Sequence, residues 1–115
     1  MDKKQTGLAV IWSSADREVA LNTVMMYTKN SKLNGWWDNV RLIIWGPSSK
    51  LLNEDIELQG AVKNASGAGV ELLACKACAD EYGASESLEE LGINVIYMGE
   101  LLTKMLKDGW AVLTF

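Results

Sequence analysis

The residues best suited to chemistry are two cysteines three positions apart, in the run Cys75-Lys76-Ala77-Cys78. A deprotonated thiol is a strong nucleophile that can attack sulfur, bind a soft metal ion or form a disulfide. The 115-residue chain has no other cysteine and no histidine. Mechanisms built on imidazole, such as Ser-His-Asp triads, Cys-His dyads and histidine-ligated metals, are therefore excluded.

The cysteine run begins where a predicted strand ends and a helix is expected to begin. Backbone N–H groups at a helix start stabilise a thiolate, and Lys76 adds a positive charge beside it. The acids Glu71, Asp80 and Glu81 act in the opposite direction. The sequence therefore leaves open whether the pKa of either thiol is raised or lowered.

Four interpretations of this run compete: a thiol that carries sulfur or redox equivalents, a thioredoxin-type dithiol, a zinc site, and simple packing. A thioredoxin-like fold places a proline from later in the chain against the dithiol, but the only proline here, Pro47, comes earlier. Two cysteines supply half of a tetrahedral zinc site, which only Asp80, Glu81 or a second subunit could complete. We predict no metal and no cofactor, and the strand-end position favours a reactive thiol over packing.

Five apolar runs predict strands that are covered on both faces, at residues 8–12, 40–45, 70–75, 93–98 and 110–115. Helices are predicted at residues 16–32, 85–91 and 100–108, and after Asn53. The last of these would be capped by Asn53 and would bury the stripe of Leu58, Ala61, Val62 and Ala65. This alternation predicts parallel strands and a single α/β domain over residues 1–115, built as a three-layer α/β/α sandwich.

In such sheets ligands bind beyond the carboxyl ends of the strands. The predicted crevice there is lined by residues that follow three different strands, namely Ser13, Ser14, Pro47, Ser48, Met98 and Gly99. The turn Gly46-Pro47-Ser48-Ser49 could hold an anion through free N–H groups and hydroxyls, and its alternative role is a capped turn.

Charge and hydropathy limit the partners. The chain carries 15 acids and 11 bases, a net charge of −4, which argues against binding to nucleic acid or an anionic membrane. The longest apolar run, Leu8-Ala9-Val10-Ile11-Trp12, is far shorter than the ~20 residues that span a bilayer. Residues 1–6 are polar and too short for a signal peptide, so we predict a cytoplasmic protein with reduced thiols.

Two adjacent tryptophans, Trp36 and Trp37, follow the first predicted helix in a polar turn. Both rings cannot easily point inward, and exposed aromatic side chains are typical of partner surfaces. The pair therefore hints at self-association. In the alternative, one ring closes the sheet edge and the other is half exposed.

A family resemblance runs through most of the chain. It is carried by the run Gly69-Val70-Glu71-Leu72-Leu73-Ala74-Cys75-Lys76-Ala77-Cys78-Ala79-Asp80-Glu81-Tyr82-Gly83, and by Leu91-Gly92-Ile93, Tyr97-Met98-Gly99 and Val112-Leu113-Thr114-Phe115. In these residues the chain resembles the DsrE-like (DsrE/DsrF/TusD-type) sulfur-relay family. It is most similar to the small stand-alone bacterial members that carry a C-x-x-C.

The resemblance implies a five-stranded parallel sheet in the order 4-3-2-1-5, and a trimer or hexamer. It also implies that a cysteine after the third strand, here Cys75, accepts sulfur as a persulfide and passes it to a partner protein. We therefore expect a sulfur carrier in which Cys78 assists or resolves the persulfide and Lys76 stabilises the thiolate, with sulfur donor and acceptor proteins as partners. The alternative is a non-catalytic oligomeric module that binds a small anion or a peptide, with the cysteines as packing.

Overall fold

The apolar runs of the sequence form one sheet of five parallel strands. The computed structural model describes residues 7–115, and its strands are β1 (Gly7–Trp12), β2 (Asn39–Ile44), β3 (Glu71–Cys75), β4 (Asn94–Ile96) and β5 (Ala111–Thr114). Their order is β4-β3-β2-β1-β5, and each pairing is parallel. The predicted parallel sheet and its strand order are confirmed. The prediction that every strand is covered on both faces is wrong for the edge strands β4 and β5, whose residues are partly or fully exposed. Residues 1–6, on which the signal-peptide argument rests, lie outside the described residues, and a single domain over 1–115 stays a prediction.

The helices lie between the strands, as the alternation predicts. They are α1 (Arg17–Val19), which continues through a π-helical segment (Ala20–Met25) into α2 (Met26–Leu33), then α3 (Pro47–Glu54), α4 (Ile56–Gly67), α5 (Lys76–Glu81), α6 (Ser85–Glu90) and α7 (Gly99–Lys107). In the part of the chain that the structure describes, no helix has the length and apolar character needed to cross a membrane.

The first helical stretch is capped by Asp16, the first residue of its predicted range. The Asp16 carboxylate accepts hydrogen bonds from the N–H groups of Glu18 and Val19, at 2.9 and 3.1 Å. These donors have no partner inside the helix, so an acceptor at this position stabilises its first turn.

The helix predicted after Asn53 begins elsewhere, and the assignment of Asn53 as its cap is wrong. Pro47, whose ring favours the first position of a helix, starts α3 early, so that Asn53 lies inside α3. Asp55 then adopts an extended conformation and caps α4, accepting from the Leu58 N–H at 3.0 Å. Leu58, Val62 and Ala65 are buried as predicted, and Ala61 is partly buried.

The sheet separates two apolar layers, because alternate residues of each strand point to opposite faces. From β1, Leu8, Val10 and Trp12 join a core cluster with residues of α4, α6 and the π-helical segment. Ala9 and Ile11 join a second cluster under α7, which also contains Cys75, the last residue of β3, and Met98, which follows β4. Cys78 packs against this cluster. The cysteines therefore lie on the face of the sheet that α7 covers.

The amino ends of the strands are held by an aromatic ring and two charges. The Arg41 guanidinium lies 4.5 Å from the ring centroid of Trp110, and its Nε donates to Glu71 Oε1 at 2.8 Å. The Trp110 ring lies directly over Gly7, where a Cβ atom would come within 2.5 Å of ring carbons. This arrangement is at the opposite end of the sheet from the cysteines, since Glu71 begins β3 and Cys75 ends it.

Candidate functional site

The site is built around two thiols that one strand end and one helix turn bring together. Cys75 ends β3 and is the N-cap residue of α5, and Cys78 lies in the first turn of that helix. Neither thiol is in a disulfide, and the Cys78 side chain packs against the apolar cluster that contains Cys75. Cys75 is only 5% exposed, whereas Cys78 is half-buried. The predicted pair is therefore a vicinal dithiol with one shielded and one reachable sulfur.

The pKa of the Cys78 thiol is raised, chiefly because burial disfavours the thiolate. The neighbouring Cys75 side chain and the negative charge of Glu81 raise this pKa further. A hydrogen bond from the backbone N–H of Gly46 acts in the opposite direction and favours the thiolate. At neutral pH the protonated thiol is therefore the main form of Cys78.

Gly46, which the sequence offers only as part of a possible anion-binding turn, acts on the Cys78 thiol. It follows β2 with φ +87° and ψ −146°, a conformation that is essentially restricted to glycine. This turn directs its N–H towards Cys78, and a Cβ here would lie 3.5 Å from Ser13 Oγ. The available signal was a Gly-Pro pair directly after a buried strand.

Lys76 pairs with an acid on its own helix. Its Nζ lies 3.1 Å from Asp80 Oδ2 and 6.0 Å from the ring centroid of Tyr97. The hydrogen bond and the charge of Asp80 raise the pKa of Lys76. In turn, the Ser85 hydroxyl and then Lys76 lower the pKa of Asp80. The role of Lys76 as a stabiliser of a thiolate stays a prediction.

The serines of the predicted crevice bind protein groups. The N–H groups of Ser13 and Ser14 both donate to the Phe115 carbonyl oxygen, at 2.7 and 3.1 Å. Ser48 donates its N–H to the Ser13 carbonyl at 3.0 Å and its hydroxyl to the Trp12 carbonyl. Pro47, the first residue of α3, has no N–H to offer. These donors hold the strand ends together. This arrangement matches the alternative role of the turn at residues 46–49, a capped turn.

Met98 and Gly99 lie where β4 leads into α7. Met98 is 1% exposed and belongs to the same apolar cluster as Cys75, and Gly99 is the first residue of α7. Met98 therefore forms part of the apolar surroundings of the thiols. Within residues 7–115 no group of three or more cysteine or carboxylate side chains is placed to hold a metal ion.

Comparison with known proteins agrees with this geometry. The sequence profile described as the DsrE/DsrF-like family matches residues 9–115. The chain belongs to the DsrE/DsrF-like family. The predicted resemblance to this family is therefore confirmed, and the family is related to sulfur relay.

Solved structures share the fold of this DsrE/DsrF-like chain. A conserved protein of unknown function from Bacteroides thetaiotaomicron is 34% identical with a TM-score of 0.92, covering 96% of this chain and 95% of its own. The ychN protein from E. coli is 18% identical, and a protein of unknown function from Methanobacterium thermoautotrophicum is 20% identical. Each of these two has a TM-score of 0.68 and covers 97% of this chain and 100% of its own, which shows the shared fold. No curated protein matches the sequence significantly.

Proposed function

We propose that this DsrE/DsrF-like chain is a cytoplasmic sulfur carrier that holds sulfur as a persulfide on Cys75. The observation that carries the proposal is the dithiol itself: two free cysteines lie three positions apart where β3 leads into α5, one shielded and one reachable. Membership of a sulfur-relay-related family supports the same chemistry.

Loading is a transfer between sulfur atoms. A thiolate of the pair attacks the outer sulfur of a donor persulfide, R–S–SH, while the donor's S–S bond breaks and R–S⁻ leaves. Delivery repeats this step, with the thiolate of an acceptor protein as the attacking group. The transferred sulfur keeps its oxidation state throughout, so the cycle needs no oxidant or reductant.

The surroundings of Cys75 suit storage. The side chain is buried with Met98 and Met105 in the cluster under α7. A persulfide is lost when another thiolate reaches its outer sulfur, so shielding from the solvent lengthens its lifetime. In this proposal Cys75 is the holding residue, and Cys78 serves transfer.

Intact mass spectrometry tests the proposal. The chain is incubated with a cysteine desulfurase and isotopically labelled cysteine, and we expect a gain of one sulfur atom, about 32 Da. The gain should disappear on treatment with a reductant, and in a variant that carries both Cys75→Ser and Cys78→Ser. A folded wild-type chain that gains no sulfur would show that it is not a carrier.

The raised pKa of Cys78 and the burial of Cys75 also suit a second candidate function. In it, the chain is a non-catalytic binding or regulatory module in which the cysteines contribute only packing. The two functions differ in thiol reactivity: cysteines that resist alkylation in the folded chain at neutral pH, while reacting after denaturation, favour the binding module.

Assembly is the remaining part of the proposal. We propose a homo-oligomer, a trimer or hexamer, that exchanges sulfur with separate donor and acceptor proteins. The support in this chain is Trp36, whose side chain is 58% exposed and lies 6.1 Å, centroid to centroid, from the ring of Tyr27. Trp37 packs partly buried against the core, so one tryptophan of the pair is directed outward.

A further inference from the structure

We infer that Cys78 is the entry thiol of the site, which takes sulfur from the donor and passes it to Cys75. This inference rests on the proposed carrier function, and it divides the transfer between the two cysteines. The family resemblance pointed to Cys75 as the acceptor of sulfur. In this chain the geometry points to two different residues: Cys78 accepts the sulfur and Cys75 holds it.

Accessibility is the first argument. A donor must bring its outer sulfur into line with the attacking thiolate, so the attacking atom has to be reachable from outside. Cys75 is 5% exposed in the cluster under α7, together with Met98. Cys78 is half-buried and lies on α5, one helical turn further along the chain. A donor protein therefore meets Cys78 first.

The hydrogen bond from Gly46 is the second argument. A backbone N–H that donates to sulfur favours the thiolate, which is the attacking form. The Gly46 N–H makes this interaction with Cys78, and the turn after β2 fixes its direction. This N–H offsets only part of the effect of burial, which raises the pKa of the reachable thiol overall. Gly46 acts through Cys78 and is a positioning residue.

The proximity of the two thiols is the third argument. Cys75 is the N-cap residue of α5, and the Cys78 side chain in the first turn packs against the cluster that contains Cys75, so a sulfur atom bound to Cys78 lies close to the Cys75 thiol. The second transfer then occurs within one molecule, where proximity replaces an encounter between two proteins. The buried thiol can receive sulfur in this way without any donor reaching it.

Atoms and electrons balance in both sulfur transfers. In the first, the Cys78 thiolate attacks the outer sulfur of R–S–SH, which gives Cys78–S–SH and R–S⁻. In the second, the Cys75 thiol transfers its proton to Cys78 while its sulfur attacks the same outer sulfur. The bond from that sulfur to Cys78 breaks, which leaves Cys75–S–SH and a Cys78 thiol. The transferred sulfur is neither oxidised nor reduced in either step.

Rapid-quench loading tests this order. Wild type, Cys75→Ser and Cys78→Ser are each mixed with a persulfidated cysteine desulfurase as donor. The reaction is stopped with an alkylating agent and digested, and the extra sulfur is located by mass spectrometry. We expect sulfur first on Cys78 and later on Cys75 in wild type. Cys75→Ser should still gain sulfur, all of it on Cys78, and Cys78→Ser should load Cys75 at least about tenfold more slowly than wild type.

Ala77→Ser is the matched control, because it places a hydroxyl on α5 between the two cysteines, at an exposed position. It should load at the wild-type rate and in the wild-type order. Thermal melting of all variants shows whether a slow rate reflects a damaged fold. A folded Cys78→Ser that loads as fast as wild type overturns the entry role.

Two further outcomes separate this inference from the carrier function. If wild type takes up no sulfur, the carrier function itself fails. If wild type loads and releases hydrosulfide while a Cys75–Cys78 disulfide forms, then Cys75 attacks the inner sulfur. That outcome overturns the transfer from Cys78 to Cys75 but leaves Cys78 as the thiol that meets the donor.

Discussion

The hydroxyl of Ser48 donates a hydrogen bond to the carbonyl oxygen of Trp12 and fastens the first turn of α3 to the end of β1. Ser48 and its neighbour Ser49 are both fully buried. Within the described part of the chain, the Ser49 hydroxyl has no hydrogen-bond partner. Two adjacent serines with equal burial therefore differ in whether their hydroxyl is bonded.

Ser48→Ala should lower the free energy of unfolding by about 1 kcal/mol, because it removes a buried hydrogen bond. Ser49→Ala should be neutral or stabilising, since it removes a buried hydroxyl that makes no such bond. Urea denaturation of the two variants measures the difference directly. A loss from Ser49→Ala as large as that from Ser48→Ala would contradict the assigned hydrogen bonding.

Alkylation of Cys78 should require a higher pH than an ordinary cysteine, because burial raises the pKa of its thiol. The midpoint of the pH–rate profile, followed on the Cys78 peptide, is expected above about 8.5. Glu81→Gln should move the midpoint down, since the carboxylate disfavours the thiolate. Glu86→Gln, an exposed acid in α6, should leave it unchanged. A wild-type midpoint below that of a free cysteine would refute this reading of the site.

The same thiol should link stability to pH. Because the pKa of Cys78 is higher in the folded than in the unfolded chain, the folded state binds its proton more tightly. The resulting stability is fully present below about pH 8.5 and is lost as pH rises through the folded pKa. We expect the decline in urea midpoint over this alkaline range to be smaller in Cys78→Ser. An equal decline in both proteins would mean that another group causes it.

Gly46→Ala should destabilise the fold by about 1–3 kcal/mol, because a side chain is strained at its positive φ. It should also shift the alkylation midpoint of Cys78 to higher pH as the backbone N–H moves away. Gly60→Ala is the control, since Gly60 lies in α4 with open space around it. This variant should have a free energy of unfolding about 0.5–1 kcal/mol higher than wild type. A midpoint that is unchanged in a folded Gly46→Ala would exclude the positioning role.

Sedimentation equilibrium should give a mass three or six times the 12.6 kDa of one chain. Trp36→Ser should lower that mass, because an exposed aromatic ring is typical of the centre of an interface. Ile56→Ser, at a still more exposed apolar position in α4, tests whether the effect is specific to Trp36. A wild-type mass of a single chain would disprove the proposed assembly.

The sheet could be predicted because its signals are local. The run from Leu8 to Trp12 is apolar without alternation, and the structure buries it on both faces. Asp16 caps the helix that it precedes, and the apolar spacing from Leu58 to Ala65 marked the buried side of α4. The helix α3 was not predicted, and the start of α4 was misplaced, because Asn53 and Asp55 are both good caps and the earlier helix begun by Pro47 includes Asn53. The fourth strand is also shorter than its apolar run, since β4 covers only Asn94–Ile96.

The site was predictable in its position but not in its contacts. The sequence located Cys75 at the end of a strand, because the end of an apolar run is enough to predict where a strand ends. The interaction of the Gly46 N–H with Cys78 joins residues that follow different strands. No sequence pattern tells how close in space the two residues come. The pairing of Lys76 with Asp80 had a local signal, because residues four apart on a helix are neighbours. The sequence also placed Lys76 beside both thiols, so it offered two partners for this charge.

The stacking of Arg41 on Trp110 has a consequence for how the sheet opens. Trp110 directly precedes β5, an edge strand that pairs with β1, and its ring reaches across Gly7 to a residue of β2. Edge strands ordinarily fray before the centre of a sheet. Here the beginning of β5 cannot separate from β1 without also breaking a contact to the second strand inward. Fraying is therefore expected to begin at the Thr114 end of β5, and proteases should cut there before they cut next to Trp110.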